Sequence, residues 1–232
     1  MENKVIKLSI VGCDSSHAES FGQVLIDKTS SIYGKSIIKS VWCNNKNLAY
    51  KTSLSLNTEN YSDLDFTVKD TDGILLLNRF GEERLEIAKK LVKYKIPVFA
   101  DKPLSMDINE ANEFFEIFKK NNVPVMSSSA FRFANDLQKF KKIIFDKNII
   151  GGMFICPAVC KDLGDDQRLK NVVFYGIHMA EMINELLGSG FKISQIEKNK
   201  SLEYLGIFEN NSGVKIRFNF LQQTQDYYFI SL

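Results

Sequence analysis

Gly73-Ile74-Leu75-Leu76-Leu77 is a short apolar run with no polar interruption, near the middle of the first half of the chain. Such a run is typical of a strand buried on both faces of a parallel sheet. The sequence on either side alternates between strand-like and helix-like patterns. This alternation predicts an α/β fold, with a doubly wound parallel sheet covered by helices on both faces.

The neighbouring elements follow the same alternation. Charged residues separate apolar ones at helical spacing in two segments, and short β-branched or apolar runs stand between them. The pattern predicts strands over residues 7–11, 36–41, 73–77, 98–100 and 123–126, a helix after the first strand, and helices over 82–94 and 109–120.

The second half of the chain has a different pattern, in which a strand and a long helix precede a series of strands. Asn210-Asn211-Ser212-Gly213 reads as a hairpin turn between the last two. We therefore expect a smaller α+β domain with an open, mainly antiparallel sheet, and a boundary that gives domains 1–127 and 128–232. Its predicted elements are helices over 134–144 and 174–187 and strands over 153–159, 193–199, 204–210 and 214–221.

The composition excludes several classes of protein. Of the 232 residues, 44% are hydrophobic and 25% are charged, which is ordinary for a globular protein and argues against a disordered, collagen-like or coiled-coil chain. The 30 Lys+Arg and 28 Asp+Glu residues give a formal charge of +2. That balance leaves no excess of positive charge to neutralise phosphates, so no nucleic-acid partner is expected.

The sequence also predicts a cytoplasmic protein without membrane or metal partners. No stretch approaches the roughly 18 apolar residues of a membrane span, and the N-terminus is a poor signal peptide. The chain has only two histidines, and its cysteines stand singly, so a clustered zinc site is not expected. We expect buried or half-buried free thiols in a reducing compartment at Cys13, Cys43, Cys156 and Cys160.

The first candidate site is the turn after the first strand, Val11-Gly12-Cys13-Asp14-Ser15-Ser16-His17. In a dinucleotide fold this turn leads into a helix whose N-terminal amides hold a pyrophosphate. Gly12 matches the G-x-G-x-x-G pattern, whereas Asp14 and His17 replace the second and third glycines. Ser15 and Ser16 could offer hydroxyls and amides to an anion. The alternative is that Asp14 or Ser15 is an ordinary helix N-cap.

The residues after the second strand leave the choice of dinucleotide open. Dinucleotide domains usually place an Asp or Glu there to bind the ribose, but this chain has Asn44, Asn45 and Lys46. The Asn44 amide could hydrogen-bond a hydroxyl, and Lys46 could meet a 2′-phosphate. NAD and NADP are therefore equally compatible with this segment, and an ordinary turn at the strand exit is the alternative.

Two further segments carry groups suited to acid–base chemistry. Lys102, in Val98-Phe99-Ala100-Asp101-Lys102-Pro103-Leu104, follows a predicted central strand and could donate to a substrate oxygen at the edge where such folds bind ligands. His178, in Phe174-Tyr175-Gly176-Ile177-His178-Met179-Ala180-Glu181, could remove a hydroxyl proton at neutral pH. The alternatives are a surface lysine in a turn and a satisfied core or cap histidine.

Taken together, these segments resemble the glucose–fructose oxidoreductase/inositol dehydrogenase (Gfo/Idh/MocA) family. Asp101-Lys102-Pro103 corresponds to the family's Glu/Asp-Lys-Pro. Ala130-Phe131-Arg132-Phe133 and Ile150-Gly151-Gly152 match the link into its second domain. Gly176-Ile177-His178 with Glu181 matches its Gly-x-His-x-x-Asp helix start.

The resemblance implies a Rossmann-like dinucleotide-binding domain over 1–127 and a shortened α+β substrate and oligomerisation domain over 128–232. It implies NAD- or NADP-linked oxidation or reduction of a small sugar, polyol or related compound. Lys102 would hydrogen-bond the reacting oxygen and His178 would act as acid and base. A homo-oligomer would form through the C-terminal sheet. The implied cofactor contacts are Gly12, Asp14, Ser15, Ser16, His17, Asn44, Asn78, Arg79 and Lys102.

The chain departs from the family pattern at several points. Phe174 stands where an acidic residue usually precedes the catalytic histidine, and Asn78-Arg79 replaces a Thr-Pro after the fourth strand. Family members commonly run about a third longer or more, so we expect a minimal or truncated second domain, with part of its sheet completed by a partner subunit. Two other readings stay open: a non-catalytic relative, and a redox-neutral isomerisation or elimination that uses a transient oxidation.

Overall fold

The computed structural model describes residues 4–157, 172–198, 204–221 and 228–232. The chain folds as two units, Met1–Ser127 and Ser128–Leu232. In the first unit, strands and helices alternate as the apolar runs predict. Its elements are β1 (Ile6–Val11), α1 (His17–Ile26), β2 (Ser36–Trp42), α2 (Lys46–Ser55), β3 (Glu59–Asn60), α3 (Leu64–Val68), β4 (Gly73–Leu76), α4 (Gly81–Leu91), β5 (Val98–Ala100), α5 (Ile108–Lys120) and β6 (Val125–Ser127).

The strands described in the first unit form one parallel sheet in the order β3-β2-β1-β4-β5-β6. The chain order reverses between β1 and β4, which gives the doubly wound Rossmann arrangement. Val11 at the end of β1 pairs with Trp42 of β2 on one side and Leu76 of β4 on the other. The carboxyl ends of these central strands therefore meet at the edge where such sheets bind ligands.

Helices cover both faces of this sheet, as predicted. On one face, α4 and α5 bury Leu85, Ala88, Phe114 and Phe118 against the strand residues Ile74 and Leu76. On the other face, α1 and α2 pack Ala18, Leu25 and Ala49 on Ile10, Ile38 and Leu77. The two clusters explain why the run at 73–77 contains no polar residue.

The structure differs from the predicted first domain in its last strand and in the elements between β2 and β4, none of which was predicted. The last strand begins at Val125 and not at Val123, because the Val123 amide donates to Phe118 O (3.0 Å) and closes the end of α5, with Asn122 in the left-handed conformation (φ 53°). Helix α2 was not predicted, since its sequence is largely polar. Its N-cap Asn45 accepts hydrogen bonds from the amides of Asn47 and Leu48.

The second unit is an α+β structure built on a mainly antiparallel sheet in the order β11-β7-β10-β9-β8, in which only the β7–β10 pair of the described strands is parallel. Phe154, Phe218 and Phe220 point from the sheet into a cluster with Met179 and Met182 of α7. The elements are α6 (Asn135–Ile144), β7 (Gly151–Pro157), α7 (Val172–Leu187), β8 (Lys192–Lys198), β9 (Tyr204–Glu209), β10 (Lys215–Leu221) and β11 (Phe229–Ser231).

The predicted hairpin turn is confirmed between β9 and β10. Gly213 N–H donates to Asn210 O (3.0 Å), and Gly213 adopts φ +79°. The predicted strand residues 158–159 and 199, Cys160 and the segment 161–171 lie outside the described residues. None of the helices in the described part of the chain has the length and apolar character that a bilayer crossing requires.

Candidate functional site

Gly12 begins the turn between β1 and α1, which we call the β1–α1 turn (residues 12–16). Its amide donates to Trp42 O (2.7 Å), and its φ is +95°. A Cβ at this position would lie 2.4 Å from the backbone nitrogen of Asn78. The position therefore needs glycine, both for its backbone angle and for the close approach of the turn to the end of β4.

The other residues of the turn leave the start of α1 uncapped. The Asp14 carboxylate does not cap the helix, because its Oδ2 accepts the Arg79 amide (3.1 Å). The Ser15 hydroxyl donates to Leu77 O (3.1 Å). Ser16 is the N-cap residue, but its side chain makes no capping hydrogen bond. The reading of Asp14 or Ser15 as an ordinary N-cap is therefore wrong.

His17, the first residue of α1, is tied to the segment after β5. Its Nδ1 lies 2.7 Å from Oδ2 of Asp101. The other carboxylate oxygen, Oδ1, accepts the Lys102 amide (2.8 Å), and the Asp101 amide donates to Leu76 O (2.9 Å). Asp101 thus fixes His17 and the backbone of Lys102 at the same edge of the sheet.

Lys102 is 9% exposed, at the carboxyl end of β5. Burial lowers the pKa of its ammonium group, because a charged group loses hydration there. The negative charge of Asp101 opposes this effect, and the positive charge of Arg84 adds to it. The Lys102 side chain therefore gives up its proton more readily than an exposed lysine, as a donor in acid–base chemistry should.

Arg84 of α4 fixes the backbone around Lys102, although the sequence analysis did not identify it. It is fully buried, and its Nη1 donates to Pro103 O and Leu104 O (2.8 Å). Its Nη2 donates to Asn78 O. Burial lowers the Arg84 pKa to about 10, so the group keeps its charge at neutral pH. One guanidinium therefore joins the segments after β4 and β5.

Asn78 and Arg79, the predicted cofactor residues after β4, lie beside the β1–α1 turn. Asn78 is 1% exposed, and its Nδ2 donates to Glu83 Oε2 (3.4 Å). Within the described residues, Asn78 Oδ1 and Asp14 Oδ1 are buried acceptors without a hydrogen-bond partner. Asn44, predicted to contact a ribose, is exposed after β2.

These features fit a dinucleotide. Gly12 leaves space that a side chain would fill, and the uncapped start of α1 presents backbone amides that an anion can accept. The Asp14 carboxylate is held by the Arg79 amide. The buried acceptors of Asp14 and Asn78 suit donors such as ribose hydroxyls. A pyrophosphate supplies the anion for these amides, and its two ribosyl groups supply hydroxyl donors for these acceptors.

In the second unit, His178 lies on α7 and is 6% exposed. Its Nδ1 is 2.6 Å from the Ser129 hydroxyl, which also accepts the Phe131 amide (3.2 Å). A hydroxyl can either donate or accept. Ser129 can therefore remain bonded to His178 whichever ring nitrogen carries the proton.

Aromatic rings surround the His178 imidazole. The ring of Phe131 meets it edge-on at 4.9 Å between centroids, and the rings of Tyr175 and Tyr228 lie at 6.1 and 6.5 Å. Phe174, which stands where the family usually has an acid, is buried and packs on Tyr175. Within this aromatic setting, the Ser129 hydroxyl is a polar partner of Nδ1.

Glu181, the predicted counterpart of the family's aspartate, pairs with Arg132. Arg132 Nε donates to Glu181 Oε2 (2.5 Å), and Arg132 Nη1 donates to Glu185 Oε2 (3.1 Å). Lys141 and Gln138 also donate to Glu185. These two hydrogen bonds lower the pKa of the Glu185 carboxyl, and the bond from Lys141 has the larger effect. The network ties α7 to the segment that carries Ser129. The motif at 130–133, through Arg132, therefore contacts the motif at 176–181, through Glu181.

The predicted site residues therefore fall into two sets. Contacts in the first unit join Gly12, Asp14, Arg79, His17 and, through Asp101, Lys102. In the second unit, His178 contacts Ser129 and Phe131. Arg84 shares the buried helical stripe of Ala88 and Leu91, and that periodicity could have revealed it.

Comparison with known proteins agrees with this geometry. A family profile described as "Oxidoreductase family, NAD-binding Rossmann fold" (Gfo/Idh/MocA) matches residues 6–129. No curated protein sequence matches the chain.

Solved structures resemble the chain over almost its whole length. An oxidoreductase from Agrobacterium radiobacter, in complex with NAD⁺, L-tartaric acid and magnesium, has a TM-score of 0.81 at 13% identity, covering 98% of this chain and 71% of that one. An oxidoreductase from Thermotoga maritima has a TM-score of 0.77 at 17% identity, covering 98% of this chain and 75% of that one. A myo-inositol dehydrogenase from Lactobacillus casei, in complex with NAD(H) and myo-inositol, has a TM-score of 0.74 at 16% identity, covering 98% of this chain and 70% of that one.

At these identities the solved structures establish the fold, and the profile match establishes the family. The first unit is an NAD-binding Rossmann fold, as the sequence predicted. The chain belongs to the Gfo/Idh/MocA oxidoreductase family.

Proposed function

We propose that this protein is an NAD- or NADP-dependent oxidoreductase that acts on a CH–OH group, or the corresponding carbonyl, of a sugar, polyol or related small molecule. The observation that carries the proposal is the burial of Lys102 at the carboxyl end of β5 in an NAD-binding Rossmann unit. Ligands of such sheets bind at this edge. A lysine with a lowered pKa there suits hydrogen bonding to a reacting oxygen.

The residues that would hold the cofactor lie around the β1–α1 turn and the ends of β2 and β4. The start of α1, with Gly12, Ser16 and His17, suits the pyrophosphate. Asn44 suits a ribose hydroxyl after β2. The remaining proposed contacts come from Asp14, Ser15, Asn78, Arg79 and Lys102. When bound, the nicotinamide supplies or accepts the hydride.

The chain's own residues would move the proton. Lys102 would hydrogen-bond the oxygen of the reacting carbon, and His178 would take or give the proton of the substrate hydroxyl. The contact between His178 Nδ1 and Ser129 supports this role, because the hydroxyl can stay bonded in both protonation states of the imidazole. The L. casei relative, whose structure contains NAD(H) and myo-inositol, supports a polyol-like substrate.

Calorimetric titration with NAD⁺, NADH, NADP⁺ and NADPH is the first test, because it needs no substrate. We expect dissociation constants well below millimolar for at least one pair. A screen of sugars and polyols by nicotinamide absorbance then tests turnover. Lys102→Ala and His178→Ala should each lower kcat by a factor of 10² or more, on the order of a lost acid–base catalyst, whereas Lys120→Ala at the exposed end of α5 should not. No binding at millimolar cofactor contradicts the proposal.

A non-catalytic relative is the second candidate, and two observations favour it. Phe174 buries an apolar ring where the family's acid would stand, and Asp14 places a carboxylate in the β1–α1 turn. Under this alternative, the protein keeps the fold as a binding or accessory subunit and turns over no substrate. Cells that carry Lys102→Ala or His178→Ala would then keep the normal phenotype, whereas a clear loss with folded variants would exclude the alternative.

We also propose that the second unit forms a homo-oligomer through the sheet face opposite α7. The strand register places Met153, Leu205 and Phe229 on that face, and they are 37%, 44% and 50% exposed. Contiguous exposed apolar residues are typical of an interface. Leu205→Asp should yield monomers in light-scattering chromatography, while Ile143→Asp, at an exposed position of α6, should leave the mass unchanged. A monomeric wild-type protein contradicts this proposal.

A further inference from the structure

Two cysteines lie side by side at the carboxyl ends of neighbouring strands. Cys13 follows Gly12 in the β1–α1 turn, and Cys43 follows Trp42, the last residue of β2. Val11 pairs with Trp42, and the Gly12 amide extends the ladder by donating to Trp42 O (2.7 Å). Paired strands lie about 4.8 Å apart, so the backbones that carry the two thiols are held close to each other.

The Cys13 side chain reaches the backbone that leads into Cys43, since its Sγ lies 3.8 Å from Trp42 O. Both cysteines are free thiols in the same apolar cluster, 7% and 6% exposed. A disulfide forms readily where the Cα atoms are within about 7 Å and the Cβ atoms face each other. Cysteines at neighbouring strand ends in one buried cluster, with the Cys13 sulfur beside the residue before Cys43, suit that geometry.

The two sulfurs differ chemically. The neighbouring Cys13 side chain lowers the pKa of Cys43, and the neighbouring Cys43 side chain raises the pKa of Cys13. Burial and the Asp14 charge oppose the ionisation of Cys43, but the effect of Cys13 outweighs them. Because the thiolate is the reactive form of cysteine, Cys43 is the nucleophile of the pair.

We propose that Cys13 and Cys43 form a reversible disulfide when the protein meets hydrogen peroxide. The Cys43 thiolate attacks one peroxide oxygen, the O–O bond breaks, and the released hydroxide takes a proton to become water. Cys13 then attacks the Cys43 sulfenic acid, an S–S bond forms, and the thiol proton leaves with the hydroxide as a second water. Two electrons pass from the two sulfurs to one peroxide, and a dithiol reductant reverses the reaction.

The disulfide would also regulate the proposed function, and this second consequence rests on the Proposed function above. Bond formation brings the two sulfurs to about 2.05 Å from each other. It therefore pulls the β1–α1 turn toward β2, between the groups proposed to hold the pyrophosphate and the ribose. We expect the oxidised protein to bind the dinucleotide on the order of tenfold more weakly.

The chain provides a matched control in Cys156. It is a free thiol in β7 of the second unit, fully buried among apolar residues. Burial raises its pKa, so Cys156 keeps its proton at neutral pH. A Cys156→Ser variant should behave as the wild type toward peroxide. Cys160, outside the described residues, is changed to serine in every protein tested so that it cannot take part.

The test treats the reduced, full-length Cys160→Ser protein with hydrogen peroxide and measures its intact mass and its disulfide-linked peptides. We expect the loss of two hydrogens, one peptide pair that joins Cys13 to Cys43, and full reversal by dithiothreitol. Cys13→Ser should stop at an oxidised Cys43, Cys43→Ser should resist oxidation, and Cys156→Ser should still form the bridge. The linked peptides of the parent protein decide the outcome even if a variant fails to fold.

Three results would overturn the inference: no mass change while the protein stays folded, a bridge between other cysteines, or oxidation of Cys43 to a sulfinic acid without a bridge. Titration of both redox states with the dinucleotide separates the two proposals. No binding in either state contradicts the oxidoreductase function alone, since peptide mapping judges the disulfide by itself. A bridge that leaves the affinity unchanged overturns the regulatory consequence.

Discussion

His17 Nδ1 lies 2.7 Å from Asp101 Oδ2, and the other oxygen of that carboxylate accepts the Lys102 amide. A carboxylate is an acceptor, so this contact places the imidazole proton on Nδ1 and leaves Nε2 for another partner. The first turn of α1 and the residue before Lys102 are therefore fixed to each other. A change at either residue should affect both the cofactor turn and the segment after β5.

The tautomer of His17 can be measured directly, because the chain contains only two histidines. We expect ¹⁵N NMR of the neutral imidazole to show the proton on Nδ1. Asp101→Asn keeps an oxygen for the Lys102 amide but can present an N–H to His17, which should move the proton to Nε2. The His178 signals serve as the internal control. A spectrum unchanged by Asp101→Asn contradicts the contact.

Lys102→Met should stabilise the protein and abolish its activity. The fold lowers the pKa of Lys102, so between the folded and unfolded pKa values the unfolded chain binds more protons, and wild-type stability rises with pH. Lys102→Met removes the charge, so the variant does not bear the free-energy cost of burying it. Its advantage should be largest at neutral pH and shrink as the pH approaches about 10.4, the ordinary lysine value.

Urea unfolding of Lys102→Met and wild type at neutral pH and near pH 10 measures this effect. Lys120→Met, on the exposed end of α5, should show no comparable pH dependence. An advantage that is independent of pH would mean that the charge of Lys102 is not what destabilises the fold. If Lys102→Met is less stable than wild type at neutral pH, the methionine packs poorly. That result would contradict the expectation that burying the Lys102 charge destabilises the folded protein.

Gly12→Ala should be far more damaging than Gly34→Ala. Both glycines have positive φ, +95° and +75°, which costs another residue roughly 1–3 kcal/mol. At Gly34 an added Cβ meets nothing within 4 Å, whereas at Gly12 it lies 2.4 Å from Asn78 N. Calorimetric unfolding should therefore show a larger loss at Gly12, with weaker dinucleotide binding. Equal losses would mean that the turn does not approach β4 as described.

The alternation of apolar runs was sufficient to predict the doubly wound sheet and the change to a mainly antiparallel sheet. It could not predict α2, whose sequence lacks an apolar stripe and whose formation depends on the Asn45 cap. Lys102 and His178 stood out by their chemistry and local context. Arg84 and Ser129 did not, because their roles come from contacts 20 and 49 residues away along the chain, with Leu104 and His178.

Ser129→Ala provides the complementary test in the second unit. The substitution removes the hydroxyl 2.6 Å from His178 Nδ1 and leaves a buried ring nitrogen without that partner, while the rings of Phe131, Tyr175 and Tyr228 still hold the imidazole in place. We expect the ¹⁵N shifts of His178 to change and those of His17 to stay the same.

In an active preparation kcat should fall about tenfold or more with little change in KM, because Ser129 acts on the proton-transfer group and not on binding. Ser129→Thr keeps a hydroxyl and should recover much of the activity. If Ser129→Ala and Ser129→Thr lose stability equally and neither moves the His178 signals, Ser129 caps its own turn at Phe131 and does not position the histidine.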